Sequence, residues 1–126
     1  MIIDHVDLRV RNRTAATRFY DSLLSVLGAV RSDSADFATW RIPSSEGSSR
    51  EEPDSFGITE DPNHVAGAIR IAFRAPSRDI VDAVAALAPS IGARNVEMDD
   101  GMYGPEFYAV FFDDPDGNRL EVSVNL

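Results

Sequence analysis

Glu106 to Leu126, EFYAVFFDDPDGNRLEVSVNL, reads as a β-hairpin whose last strand carries one acidic residue among branched ones. Phe107 to Phe112 is aromatic and branched enough for a buried strand. Asp113 to Asn118, DDPDGN, is a turn, with Pro115 fixing φ and Gly117 supplying a positive φ. From Arg119 to Val124 the chain alternates, so Leu120, Val122 and Val124 share one face and Arg119, Glu121 and Ser123 the other. An acidic residue so placed is ordinarily the solvated face of a half-buried sheet. Glu121 gains weight from the other end of the chain, where Ile2 to Val10, IIDHVDLRV, alternates in the same way. There Val6, Leu8 and Val10 form one face, and Ile3, His5, Asp7 and Arg9 the other. An imidazole and a carboxylate, one from each terminal strand, are ligand types that borderline divalent metals prefer.

At 126 residues the chain has the size of one domain, with room for a core that needs no disulfide. It has no cysteine, which excludes thiolate ligands and thiol nucleophiles. All twelve basic residues are arginine, so Schiff-base chemistry on lysine is excluded as well. A net charge of -9 argues against nucleic acid as a partner and permits a cationic ligand. No apolar run approaches membrane length, and no basic region precedes an apolar one, so no membrane partner and a cytoplasmic location are expected.

Between the two ends the chain repeats itself. Asn12 to Thr14 offers N-cap residues, and Ala16, Phe19, Tyr20, Leu23 and Leu27 recur at helical spacing up to Gly28. Ala29 to Arg31 and Phe37 to Ile42, which holds Trp40, are short strand candidates, as is Phe56 to Thr59. Pro43 to Asp54 reads as a surface loop, and Glu60 to Gly67 as a linker in which His64 is expected to face solvent. Ala68 to Phe73 then restarts the pattern, with Ala68, Arg70 and Ala72 on one face and Ile69, Ile71 and Phe73 on the other. Ser77 caps a second helix with the stripe Ile80, Val84, Leu87 and Ile91, which Pro89 disturbs or tightens before Gly92-Ala93. LRVRNRTAATRFYDSLLSVLGA and FRAPSRDIVDAVAALAPSIGA align with one gap, an internal duplication of about 65 residues. Each half is expected to be strand, helix and about three further strands, the last set near Asn95 to Asp99, Phe107 to Phe112 and Arg119 to Val124. This is an α+β fold of two tandem βαβββ modules, about 1–60 and about 67–126, whose mixed sheets curl into a cup.

IDHVDLRV with RFYDSLLSVLGA, then IRIAFRAPSRDIVDAVAAL, then FYAVFFDDPDGNRLEVSV, in this order and spacing, resemble the vicinal oxygen chelate superfamily of glyoxalases, bleomycin resistance proteins and extradiol dioxygenases. The resemblance covers nearly the whole chain. It implies a homodimer that takes a small molecule in the cup. In metal-dependent members a zinc, nickel, manganese or iron ion is held by a residue on the first strand of each module and a glutamate on the last. By this resemblance His5 and Glu121 are metal ligands, and Arg70 stands at the remaining position. Guanidinium has no lone pair to give a metal.

Two readings follow. In one, Arg70 takes the place of the metal, pairs with Glu121 and lowers its pKa, and the cup binds a ligand without metal. In the other, Arg70 swings aside and a metal is held by His5 and Glu121, with Asp7 as a further donor. Ligand chemistry favours the metal-free reading. The function classes are accordingly a small-molecule binder, of which a resistance protein is one form, and a metal-dependent lyase, isomerase or ring-cleaving dioxygenase. Glu121 and Tyr108 are the candidate catalytic groups, and Arg70, Trp40 and Tyr103 the candidate ligand-binding ones. Both Trp40 and Tyr108 also fit ordinary core positions.

Overall fold

Asn12 opens the first helix: its backbone is extended (φ −137°, ψ 110°) and its side chain accepts a hydrogen bond from the Ala15 amide at 2.9 Å. The computed structural model describes residues 3–34, 37–41 and 55–126. Contacts divide the chain into two compact units, Met1–His64 and Val65–Leu126. In the first, helix α1 (Arg13–Val26) buries Ala16, Phe19, Tyr20, Leu23 and Leu24. Leu24, not Leu27, completes the stripe, because Leu27 is already the C-cap; Gly28 then leaves the helix at φ 83°.

The sheet beneath α1 has the strands β1 (His5–Val10), β2 (Val30–Asp33), β3 (Phe37–Arg41) and β4 (Ser55–Glu60), in the order β1-β4-β3-β2. β1 runs parallel to β4, and the other pairs are antiparallel. Its helix-facing side is aromatic. Tyr20 meets Phe19 edge-on at 4.9 Å between centroids and lies 5.2 Å from Phe56 and 6.1 Å from Trp40. Such pairs add roughly 0.5–1.5 kcal/mol each beyond the area they bury.

The second unit repeats the plan with β5 (Arg70–Arg74), α2 (Arg78–Leu87), β6 (Arg94–Met98), β7 (Phe107–Asp113) and β8 (Arg119–Asn125), in the order β5-β8-β7-β6. Ser77 caps α2 by accepting from the Ile80 amide at 3.3 Å. Its buried side chains are Val81 and Val84, so Val81 takes the place expected of Ile80. Pro89 tightens the helix end into a 3-10 turn (Ala88–Ile91), closed by Gly92 at φ 98°.

The β7–β8 turn is built around a side chain that the sequence reading passed over. Asp114 is fully buried; its Oδ1 accepts from the Asp116 and Asn118 amides, both at 2.9 Å, and its Oδ2 from Asn118 Nδ2 at 2.9 Å. Gly117 turns at φ 88°, as expected.

Each unit is therefore an open four-stranded mixed sheet with one covering helix, and the α+β class with two tandem modules stands. Strand ends differ from the sequence reading by one to three residues, and Pro43 to Asp54 lies outside the described residues. Among the described residues, no helix is long and apolar enough to cross a membrane.

Candidate functional site

The two faces of the second sheet differ in kind. Phe73, Val110, Phe112, Leu120, Val122 and Val124 are buried on the side of α2. Strand alternation and register place Arg70, Ala72, Phe111, Glu121 and Ser123 together on the opposite, open face. Arg70 begins on β5 and reaches across β8 to β7, where its Cζ lies 4.8 Å from the centroid of Phe111. Phe111 stands directly opposite Glu121 in the β7–β8 register. The guanidinium is thus held at the middle of the open face, close to the carboxylate.

It does not pair with that carboxylate. Arg70 has no ion pair within 4.0 Å among the described residues, because the Phe111 ring rather than the Glu121 carboxylate receives it. The expected Arg70–Glu121 pair is therefore corrected, and with it the sign of the effect on Glu121. Burial pushes the Glu121 carboxyl up from its ordinary value; Arg70 and the Ser123 hydroxyl pull it down, Asp99 adds to the rise, and the balance is upward. A half-buried carboxylate with a guanidinium nearby but out of contact holds its proton more tightly than an ordinary one.

Beside these two side chains lies a cleft of ≈ 210 Å³ lined by Arg70, Phe111, Met98, Met102 and Tyr103, with Glu97, Asp99 and Asp100 supplying the acidic part. The loop that carries Tyr103 is shaped by two aspartates. Asp99 Oδ2 accepts from the Gly101 amide at 3.2 Å and Asp100 Oδ1 from the Met102 amide at 3.1 Å. Tyr103 rests edge-on against Phe107 at 5.3 Å and is 62% exposed. Arg70 and Tyr103, both expected at the ligand, thus share one cleft.

Trp40 and Tyr108 are not on an open face. Trp40 is fully buried against α1, its Nε1 donating to Asp21 Oδ1 at 3.1 Å, so it is a core residue of the first unit rather than an aromatic wall. Tyr108 pairs with Val124 across β7–β8 and so points toward α2. There its hydroxyl donates to Asp82, which raises its pKa, and Arg78 lies 5.1 Å over its ring. Period-two alternation puts it on the face opposite Glu121, so the structure does not bring these two candidates together.

In the first unit, His5 is exposed and its Nδ1 is 3.3 Å from Asp4 Oδ1. Asp7, on the same face, accepts from Thr59 Oγ1 at 2.8 Å and pairs with Arg9 at 3.0 Å. His64 is half-buried rather than exposed. A second recess, of ≈ 260 Å³, lies at Arg13, Arg18 and Arg31 and includes none of the expected site residues. Phe111 was missed at the sequence level, although its register with Glu121 follows from centring the hairpin on its turn.

The model of the glyoxalase/bleomycin resistance protein/dioxygenase superfamily matches residues 2–122. The chain belongs to this superfamily. A glyoxalase/bleomycin resistance protein from Albidiferax ferrireducens superimposes at TM-score 0.81 with 25% identity, over 100% of both chains. A putative glyoxalase from Bacillus halodurans follows at TM-score 0.73 and 22% identity, over 98% of this chain and 95% of that one. The fosfomycin resistance protein FosX from Listeria monocytogenes has TM-score 0.71 and 20% identity, over 100% and 96%. No curated protein matches the chain.

Superfamily membership makes the divalent metal a question of donor chemistry. At the position the resemblance gives to a metal ligand, Arg70 offers no lone pair to an ion. Among the described residues, no group of three or more His, Cys, Asp and Glu side chains is placed to hold a metal ion.

Proposed function

We propose that this superfamily member binds a small organic molecule on the open face of its second module, with Arg70 as the anchor for an anionic or carbonyl group. In this proposal the superfamily's metal position is degenerate. The observation that carries the reading is the Arg70 guanidinium, 4.8 Å over Phe111 and without an ion pair within 4.0 Å among the described residues. A guanidinium braced on an aromatic face keeps its in-plane N–H donors for a planar oxyanion. Tyr103 and the two methionines of the cleft supply adaptable apolar contact. The metal-dependent alternative, with His5 and Glu121 as ligands, needs Asp7 as a further donor, and that carboxylate already accepts from Thr59 and pairs with Arg9. The homodimer implied by the superfamily and the cytoplasmic setting expected from the sequence belong to the same proposal.

The test is calorimetric titration of the protein and of Arg70→Ala with small carboxylates and α-keto acids. Losing a charge-assisted contact should weaken binding by about tenfold or more. Equal affinity in both proteins would overturn the assignment of Arg70.

A further inference from the structure

The cleft that holds the Arg70 guanidinium is, in sum, acidic. Its lining carries one cation, Arg70, against Glu97, Asp99 and Asp100, and Glu121 stands beside it on the same face. None of these carboxylates comes within 4.0 Å of Arg70, so the positive and negative groups stay apart instead of cancelling. Glu97 is opposite Phe111 in the β6–β7 register, on the far side of that ring's strand from Glu121. Asp99 and Asp100 are each anchored through one carboxylate oxygen to a loop amide, which leaves the second oxygen of each for other contacts.

Charge arithmetic then decides which ligand can use Arg70. A purely anionic molecule gains one contact and is repelled by three lining carboxylates; a purely cationic one gains the acidic side and meets the guanidinium. A molecule carrying both charges satisfies both sides. We infer that the ligand of this cleft is a small zwitterion, its anionic group on Arg70, its cationic group toward Asp99 and Asp100, and an apolar body against Met98, Met102 and Tyr103. At ≈ 210 Å³ the cleft lies below the roughly 300–1,000 Å³ of sites for drug-sized ligands, which sets the scale at that of an amino acid.

This inference rests on the proposal that Arg70 is the anchor, and the test separates the two. Matched probes share one body and differ only in charge: L-phenylalanine, 3-phenylpropanoate and 2-phenylethylamine, with a leucine-derived set in parallel. Each is titrated by calorimetry into the whole protein at low salt and neutral pH. In at least one set the zwitterion should bind about fivefold or more tighter than either single-charge member. Asp99→Asn and Asp100→Asn should each shrink that preference, whereas Arg70→Ala should abolish binding of the zwitterion and the anion alike. If the anion binds as well as the zwitterion, the zwitterion inference is overturned and the Arg70 anchor stands. If no probe binds, or if Arg70→Ala binds all of them unchanged, both are overturned. The loop amides that donate to the aspartates can donate equally to an asparagine side-chain oxygen, so the Asn variants keep the loop and remove only the charge.

Discussion

Replacing Asp114 by alanine tests whether the turn that sets the register of Glu121 is held by one buried carboxylate. The change strips partners from the Asp116 amide, the Asn118 amide and the Asn118 side chain, each now 2.9 Å from an Asp114 oxygen. A hydrogen bond to a charged group contributes about 1.5–3 kcal/mol, so three independent ones would total roughly 4.5–9 kcal/mol. The three share one turn, and Asp116 is only half-buried, so water can recover part of the loss. The expected destabilisation is therefore about 3–5 kcal/mol, a large part of the 5–15 kcal/mol typical of a whole domain. Asp114→Asn keeps an acceptor for the two amides but opposes an NH₂ to that of Asn118, and should cost roughly 1–2 kcal/mol. The assay is urea unfolding followed in two ways. Trp40 fluorescence reports the first unit, and amide hydrogen exchange of β7 and β8 reports the second. Loss of exchange protection in β7 and β8 is the expected outcome. Asp114→Ala within about 0.5 kcal/mol of the parent protein would refute the reasoning, since that is the range of an ordinary surface change.

Three further predictions follow from the same geometry. Glu121 holds its proton more tightly when folded than when unfolded, so its contribution to stability is fully present below the ordinary glutamate pKa and is lost as pH rises through the raised value. Glu121→Gln should accordingly melt above the parent protein at pH 7 and converge with it in acid; a lower melting temperature at pH 7 would contradict the sign. Trp40→Phe loses the bond to Asp21 and part of a filled core, at about 1–3 kcal/mol, and should leave ligand affinity unchanged by calorimetry. Tyr108→Phe should lower the melting temperature slightly and leave binding intact; a loss of binding would return Tyr108 to the site.

What was legible in the sequence is what depends on neighbours along the chain. DDPDGN is a turn because Pro115 and Gly117 fix its backbone, and the alternation on either side gives the faces of β7 and β8. The two helices were readable from Asn12 and Ser77 as caps and Gly28 and Gly92 as stops, and the duplication gave the two modules. The same alternation separates Tyr108 from Glu121. Counting outward from the turn pairs it with Val124 and not with the acidic face.

The rest depends on strands that are distant in sequence. That Arg70 reaches Phe111 requires the order β5-β8-β7, which no local pattern specifies. Whether Glu121 is pulled down by Arg70 or pushed up by burial is a balance of a distance against an accessible area, and neither is written in EVSV. Whether Trp40 is wall or core depends on Tyr20 and Phe56, which pack beside it from elsewhere in the chain.

The proposal that Arg70 serves as an organic anchor, where the resemblance would put a metal ligand, makes a prediction about metal content. The metal-to-protein ratio tests it most directly, measured by elemental analysis on untagged protein dialysed against zinc, nickel, manganese and iron and then against buffer. With Arg70 as anchor the ratio should lie far below one for every ion, and Arg70→His should raise it. A ratio near one in the unmodified protein would overturn the Arg70 anchor and favour the metal-dependent alternative with His5 and Glu121.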